Sequence, residues 1–245
     1  MNFSDIRKHA LHAEVLTLSS GTIRAKTGTY TQRNGKSSVK GQMKCVINAF
    51  YFEHPVQGGI LIDAGFSSEF YTLPPYGNLN FVLKVFQKIN GVTYTQEKGM
   101  DIKTQVNKRK LKPLHVFLTH RHPDHTSGIP ELGDGITVYY GKREDTFFYS
   151  LLTQKHLRGK AKTIIDLEKG IHFECFERAV DIFGDQSFLA LSTRGHTKDH
   201  IAYLVNGKNA YLIVGDAELT IDAVEKGLYI ISDYGKAGET DARES

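Results

Sequence analysis

The chain has few of the residues that define several classes of protein. Only two of its 245 residues, Cys45 and Cys175, are cysteines, which is too few for the framework of bridges found in small secreted domains. Both have apolar or aromatic neighbours, and we expect both to be small core residues. No apolar run approaches the ~20 residues that cross a bilayer, and the N-terminus lacks the apolar segment of a signal peptide. We therefore expect a cytoplasmic protein with no membrane span.

The chain also has only a small excess of charge of one sign. The chain carries 31 Lys and Arg against 27 Asp and Glu, a formal net charge of +4. Its densest basic cluster, residues 108–112, contains no interleaved aromatic side chains of the kind that stack on nucleic-acid bases. We therefore favour a solvated helix end over a nucleic-acid face for this cluster.

No linker or low-complexity segment divides the sequence. A hydrophobic content of 40% and a charged content of 24% are ordinary for a globular protein. A chain of this length can bury about 70% of its unfolded surface in a single core. We therefore predict one domain over residues 1–245.

Ligands for a metal are concentrated in six residues. His120, His122, Asp124 and His125 follow the apolar run 114–118, which has the pattern of a buried strand. Three imidazoles and a carboxylate without a thiolate suit a divalent ion, zinc first. The carboxyl ends of strands are where open α/β sheets place their sites, so we predict a metal loop at this point.

Three further motifs accompany this hexapeptide in a fixed order. Segment 59–65 has the pattern of a strand ending in Asp63-Ala64-Gly65, segment 195–200 reads Gly-His-Thr-Lys-Asp-His, and segment 214–216 reads Val-Gly-Asp. Together with His-x-His-x-Asp-His they resemble the metallo-β-lactamase superfamily of dinuclear metal hydrolases over roughly residues 14–220. The resemblance implies an α+β fold, an αββα sandwich of two mixed sheets flanked by helices.

The resemblance also implies a set of metal ligands. Two zinc ions are expected, with a bridging hydroxide that attacks an electrophilic carbonyl or phosphorus. The first ion would take His120, His122 and His196, the second would take Asp124 and His125, and Asp216 would be shared.

Three further residues have supporting or alternative roles in this interpretation. Asp63 would fix the metal loop by hydrogen bonds. Asp124 would either protonate the leaving group or serve as a ligand only. His200 would either orient a ligand or cap a strand, and the sequence leaves both pairs of alternatives open.

One departure from the family pattern concerns the end of the chain. The family's second metal normally takes a further histidine after the bridging aspartate, whereas His200 is the last histidine here. Residues 239–245 have the pattern of the start of a polar-faced helix, so the fold would lack its last strand and helix. We expect either a truncated C-terminus or an incomplete second metal site.

The ligand types favour hydrolysis. Iron-dependent oxidoreductases of the superfamily have Glu at the position of His122, and antibiotic-hydrolysing members have a thiolate in the second site. Segment 180–187, the chain length and the long loop 28–42 resemble the quorum-quenching lactonase branch. The leading hypothesis is therefore hydrolysis of a small-molecule carbonyl ester, in particular a lactone of the N-acyl homoserine type.

Other functions stay open at this point. A thioesterase of the glyoxalase II kind, a phosphodiesterase or ribonuclease, and a non-catalytic metal-binding module are the alternatives. The acyl chain, the native metal and a homodimer are also left open.

Local patterns complete the prediction. We predict that loop 28–42 lies over the site, that residues 79–89 and 96–110 are helical, and that Asn206-Gly207 turns a hairpin. The aromatic residues between positions 66 and 90 would either line an apolar substrate pocket or belong to the core.

Overall fold

Two β-sheets stacked face to face form the centre of the protein in the computed structural model, which describes residues 2–26, 30–32, 35–36, 42–217 and 228–230. In chain order the strands are β1 (Leu16–Lys26), β2 (Tyr30–Gln32), β3 (Gly35–Lys36), β4 (Gln42–His54), β5 (Gly58–Ile62), β6 (Thr93–Thr95), β7 (Pro113–Phe117), β8 (Thr137–Gly141), β9 (Ala161–Ile165), β10 (Ile171–Phe173), β11 (Phe176–Asp181), β12 (Phe188–Ser192), β13 (Ile201–Asn206), β14 (Ala210–Ile213) and β15 (Leu228–Ile230). The α-helices are α1 (Phe3–Ile6), α2 (Glu69–Thr72), α3 (Phe81–Ile89), α4 (Ile102–Lys108), α5 (Pro123–Thr126) and α6 (Phe147–Thr153).

The first sheet is mixed, with the strand order β6-β1-β4-β5-β7-β8-β9. Its β6-to-β5 half is antiparallel, whereas β5, β7, β8 and β9 run parallel to one another. Parallel neighbours need crossover connections, and helices α2 to α6 lie in those connections. The carboxyl ends of the parallel strands therefore meet at one edge of the sheet, which is where the metal loop begins.

The second sheet has the order β10-β11-β12-β13-β14. Its described strands are all antiparallel, so the expectation of two mixed sheets is corrected for this one. Because β13 and β14 form the predicted hairpin, with Asn206 paired to Ala210, that prediction is confirmed. The connection from β12 to β13 and the end of β14 carry the remaining predicted ligands.

Apolar side chains fill the space between the two sheets. Phe117 of the first sheet makes an edge contact with Phe188 of the second, at 4.9 Å between ring centroids, and both are fully buried. The buried Tyr203 hydroxyl donates to the Leu118 carbonyl oxygen at 2.9 Å, and the Ile201 amide donates to the Thr119 carbonyl oxygen at 2.8 Å. These two bonds fix β13 directly against the start of the metal loop.

Helices cover the outer faces of the sandwich. Ile102 and Val106 of α4 pack on the first sheet, and Ile6 of α1 packs against Leu189 and Leu204 on the second. This order of layers confirms the predicted αββα sandwich. Among the described residues no helix is both long and apolar enough to cross a lipid bilayer.

Several local predictions need correction. The described parts of segment 28–42 form strands, because β2 pairs with β3 and with β15. The predicted helix over 96–110 is confined to α4, where the Asp101 carboxylate accepts from the Thr104 amide at 2.7 Å and so begins the helix. The predicted helix over 239–245 lies outside the described residues.

The structure also shows how far the cysteines and the aromatic residues after position 66 are buried. Cys175 is exposed and Cys45 is only partly buried, so the expectation of two core cysteines is wrong. Phe66 and Phe70 are stacked at 4.1 Å between ring centroids and are buried, as expected for core packing. The predicted helix over 79–89 is confirmed as α3.

Candidate metal centre

Asp63 directly follows β5 and fastens the metal loop. Its backbone is left-handed, with φ +57°, a conformation that Asp adopts more readily than most residues. One carboxylate oxygen accepts from the Thr119 amide at 2.8 Å and the other is 2.8 Å from Nδ1 of His125. Asp63 therefore orients the His125 ring and aims Nε2 away from itself.

The metal loop makes a tight turn after β7. Pro123 opens the short helix α5 directly after His122, a position that suits proline because its missing N–H would be unpaired there. Asp124 and His125 therefore lie in the first helical turn, while His120 and His122 precede it. His120 is fully buried.

The loop from β12 to β13 brings a histidine from the second sheet. Gly195 has φ +146°, a region that side chains disfavour, and it allows the turn that presents His196. Nε2 of His196 lies 3.0 Å from Nδ1 of His122. Two ring nitrogens this close, from different sheets, face the same small volume.

His200 faces the same region and supports its neighbours. The Asp216 amide donates to Nε2 of His200 at 3.2 Å, and Nδ1 of His200 lies 2.8 Å from the Thr193 hydroxyl. Its Nε2 lone pair is therefore used by a backbone N–H. Of the two roles predicted for His200, this geometry favours positioning of Asp216.

Asp216 lies between histidines of the two loops, in a short 3₁₀ turn after β14. Its Oδ1 is 3.3 Å from Nε2 of His125, and its Oδ2 is 3.5 Å from Nε2 of His196. One carboxylate thus directs one oxygen toward each loop.

Two groups of potential ligand atoms result. The first cluster comprises His120, His122 and His196, and the second cluster comprises His120, His125 and Asp216; within each cluster the ligand atoms lie within 4.8 Å of one another. His120 belongs to both clusters, whereas the resemblance to the family assigned it to the first ion only. Asp124 lies beside the second cluster, with Oδ2 3.7 Å from Nε2 of His125, but it is not part of that compact set.

An unpartnered nitrogen indicates that these residues fit a metal. Nε2 of His120 is buried and has no hydrogen-bond partner among the described residues. A buried polar atom normally has a partner, and a divalent ion would provide one. Imidazole and carboxylate donors without thiolate suit zinc.

The two clusters differ in protonation. Burial lowers the pKa of His120 and His122 well below the ordinary value, and the neighbouring histidines add to this. Burial also opposes protonation of His125, but the carboxylates of Asp63, Asp216 and Asp124 outweigh it and raise its pKa well above the ordinary value. Burial raises the pKa of Asp124 to about 6.

Some contributing residues carry no sequence motif. His156, buried after α6, lies 2.9 Å from the Thr126 hydroxyl, which donates to the His122 carbonyl oxygen at 3.1 Å. Glu144 is fully buried between the two loops. The one feature of the sequence that could have indicated Glu144 is its position shortly after β8, the strand next to β7 in the parallel half.

The polar end of segment 180–187 lies away from the clusters. Asp185 and Ser187 each lie 3.1 Å from Nε2 of His54, at the turn that precedes β5. This is the amino end of β5, whereas Asp63 follows its carboxyl end. Asp185 and Ser187 therefore do not line the metal centre.

A model of the metallo-beta-lactamase superfamily matches residues 43–244. The chain belongs to the metallo-beta-lactamase superfamily. Because members of this superfamily are metal-dependent, the match agrees with the chemistry of the two clusters.

Curated relatives of this superfamily chain have different activities. It is 26% identical over 164 residues to the exodeoxyribonuclease WalJ of Streptococcus pneumoniae, covering 58% of this chain and 60% of that protein. It is 31% identical over 117 residues to the hydroxyacylglutathione hydrolase of Actinobacillus pleuropneumoniae, covering 46% of this chain and 38% of that protein. The aligned part thus spans less than two thirds of the length of either relative.

Solved structures share the fold of this superfamily chain at low identity. A quorum-quenching N-acyl homoserine lactone hydrolase is 13% identical, with a TM-score of 0.67 over 96% of this chain and 86% of that chain. A variant of Bacillus thuringiensis AiiA with bound N-decanoyl-L-homoserine is 14% identical, with a TM-score of 0.68 over 96% of this chain and 87% of that chain. At this identity the likeness establishes the fold alone.

Proposed function

We propose that the protein is a metal-dependent hydrolase of small-molecule carbonyl esters, with a lactone of the N-acyl homoserine type as the leading substrate. The observation that carries the proposal is Asp216, which directs one oxygen toward His125 and the other toward His196. A carboxylate in this position suits a pair of ions. The lactone assignment draws on the fold shared with the N-acyl homoserine lactone hydrolase.

The residues present would divide the chemistry as follows. Two divalent ions held by the clusters would supply Lewis acidity and make a water acidic enough to ionise near neutral pH. Asp124, which lies beside the second cluster with Oδ2 3.7 Å from Nε2 of His125, would protonate the leaving oxygen. Asp63 would hold His125, and His200 would hold Asp216.

A thioesterase is the second candidate. It is favoured by the 31% identity to a hydroxyacylglutathione hydrolase, whose substrate also presents an acyl carbonyl. The same ligands and the same proton donor would serve either reaction, because only the leaving atom differs.

A nucleic-acid substrate is disfavoured by the position of the basic cluster. Residues 108–112 lie between the end of α4 and the start of β7, whereas the metal loop follows the other end of β7. Five strand residues separate the two, about 16 Å at the usual rise per residue. The cluster therefore does not border the metal centre, despite the similarity to an exodeoxyribonuclease.

A substrate panel tests the proposal. Zinc-loaded and manganese-loaded protein would be assayed against an N-acyl homoserine lactone, an acyl-glutathione thioester and a single-stranded oligodeoxynucleotide, at low and high salt, with chelator-treated protein as control. We expect the highest kcat/KM on the lactone, little effect of salt, and loss of turnover after chelation. Preferred cleavage of the oligonucleotide, falling steeply with salt, would contradict the ester assignment.

A further inference from the structure

Glu144 is a fully buried carboxylate that belongs to neither cluster. It ends the 3₁₀ turn Lys142–Glu144 after β8. It lies between the metal loop of the first sheet and the β12–β13 loop of the second sheet. The metal loop contributes His120 and His122 to the first cluster, and the β12–β13 loop contributes His196.

The two oxygens of Glu144 bind the backbones of different loops. Oε2 accepts from the Arg121 amide at 3.2 Å, and Oε1 accepts from the Asp199 amide at 3.1 Å. Arg121 lies between His120 and His122 in the chain, and Asp199 lies three residues after His196. One side chain thus connects the backbones that present both members of the 3.0 Å pair His122–His196.

The segment around Glu144 is fastened to the metal loop by the side chain of Arg121. Its Nη1 donates to the Glu144 carbonyl oxygen at 3.0 Å and to the Asp145 carboxylate at 3.1 Å. Its Nη2 donates to the Thr153 hydroxyl at 3.0 Å. These contacts keep the loop at a fixed distance from β8.

The same segment is fastened to the second loop by Asp199. Its Oδ2 accepts from the Arg143 amide at 2.8 Å, and its Oδ1 accepts from Nε of Arg194 at 3.0 Å. Gly141 allows this approach, because a Cβ there would lie 2.6 Å from the Asp199 carbonyl oxygen. Segment 141–145 therefore forms a connecting block between the two ligand loops.

We propose that Glu144 is a positioning residue that sets the spacing between His122 and His196 and, through it, the affinity of the first cluster for its ion. The inference rests on the proposed metal binding. It assigns to Glu144 a role that no ligand motif contains. Because the two loops belong to different sheets, their separation depends on contacts that cross between them, and Glu144 contributes one to each.

Glu144→Gln tests this directly. Glutamine keeps the size of the side chain, but one of its two terminal atoms becomes an N–H donor facing a backbone N–H, so one loop loses its acceptor. We expect the affinity of the first site for Zn²⁺ to fall by about 10–100-fold, as for other residues that orient metal ligands. The affinity would be measured by competition with a chromophoric chelator. The visible absorption of Co²⁺-loaded protein should change as well.

Glu131→Gln is the matched control. The Glu131 carboxylate also accepts from a backbone amide, that of Ser68 at 2.9 Å, and within the described part of the chain both of its hydrogen bonds go to Ser68, which lies in neither ligand loop. This variant should bind Zn²⁺ as the unchanged protein does. Thermal unfolding of the metal-free proteins would show how much each substitution costs in stability alone.

The possible outcomes distinguish a positioning role of Glu144 from a role in packing alone. Glu144→Gln with unchanged Zn²⁺ affinity and lowered stability of the metal-free protein would overturn the proposal. If this variant does not fold, Glu144→Asp takes its place, because its shorter side chain cannot reach both amides, and unchanged affinity would again overturn the proposal. If the unchanged protein binds Zn²⁺ in a Glu144-dependent manner but hydrolyses no substrate of the panel, the proposed function fails and the role of Glu144 stands.

Discussion

The first and second clusters share His120 but differ in the charge that surrounds their histidines. The first contains imidazoles alone, and burial keeps the pKa of each below its ordinary value. In the second, His125 faces the carboxylate of Asp216 within the cluster and those of Asp63 and Asp124 beside it, and these three raise its pKa. A metal therefore meets neutral lone pairs in the first cluster and concentrated negative charge in the second.

The supports of the two clusters differ in the same way. His125 is held through its own ring by the carboxylate of Asp63. The loops that carry His122 and His196 are held through their backbones. Glu144 accepts from the amides of Arg121 and Asp199, and Thr126 donates to the His122 carbonyl oxygen. We infer that spacing governs affinity in the first cluster and that charge governs it in the second.

The largest expected effect comes from the residue that both clusters share. His120→Ala should reduce bound metal to less than one ion per chain and lower turnover by about a thousandfold or more, because several kcal/mol of Lewis-acid stabilisation would be lost. Metal analysis and steady-state kinetics check this, with the exposed His9→Ala as control. Retention of one tightly bound ion would show that the clusters are independent and that His120 is not their common member.

Asp124→Asn should separate proton transfer from metal binding. We expect turnover to fall by about a hundredfold, the size of a general-acid contribution, with little change in KM or in metal content, because Asp124 lies outside the compact second cluster. Kinetics on substrates with leaving groups of different pKa would check the role, since a good leaving group needs no proton. A large loss of the second ion would instead make Asp124 a ligand.

The smallest expected effect concerns the support of the second cluster. Asp63→Asn suits the left-handed backbone at this position but removes the negative charge that faces His125. We expect the second ion to bind about tenfold more weakly while the first ion binds as before, as measured by calorimetric titration of metal into the metal-free protein. Equal weakening of both ions would contradict the difference between the clusters.

The sequence was most informative where a single strand leads directly into a motif of the site. The hexapeptide after β7, Asp63 after β5 and the Val-Gly-Asp motif after β14 each follow an apolar run that ends at a turn, so their positions could be predicted. The strand pattern and the carboxyl-end rule placed these motifs at turns. The layers of the fold and the roles of the ligands came from the resemblance to the family.

Contacts between the loops at the metal centre could not be predicted in this way. Glu144 touches residues 23 and 55 positions away, and His200 accepts from an amide 16 positions later. No local period encodes such pairs, because they depend on how the loops meet after the sheets stack. The alternating pattern also did not reveal β2 and β3, because their partner β15 lies near the other end of the chain.

The origin of the ligands in both sheets has a consequence for how the protein acquires its metal. His122 and His196 are 74 residues apart in the chain, and Asp216 is provided only once β14 has been added to the second sheet. A nascent chain that has made the hexapeptide alone cannot yet close the first cluster, so metal capture must follow the docking of the two sheets. Once bound, an ion would join the sheets as a cross-link that must break before they separate, and its loss would accelerate unfolding more than it slows folding.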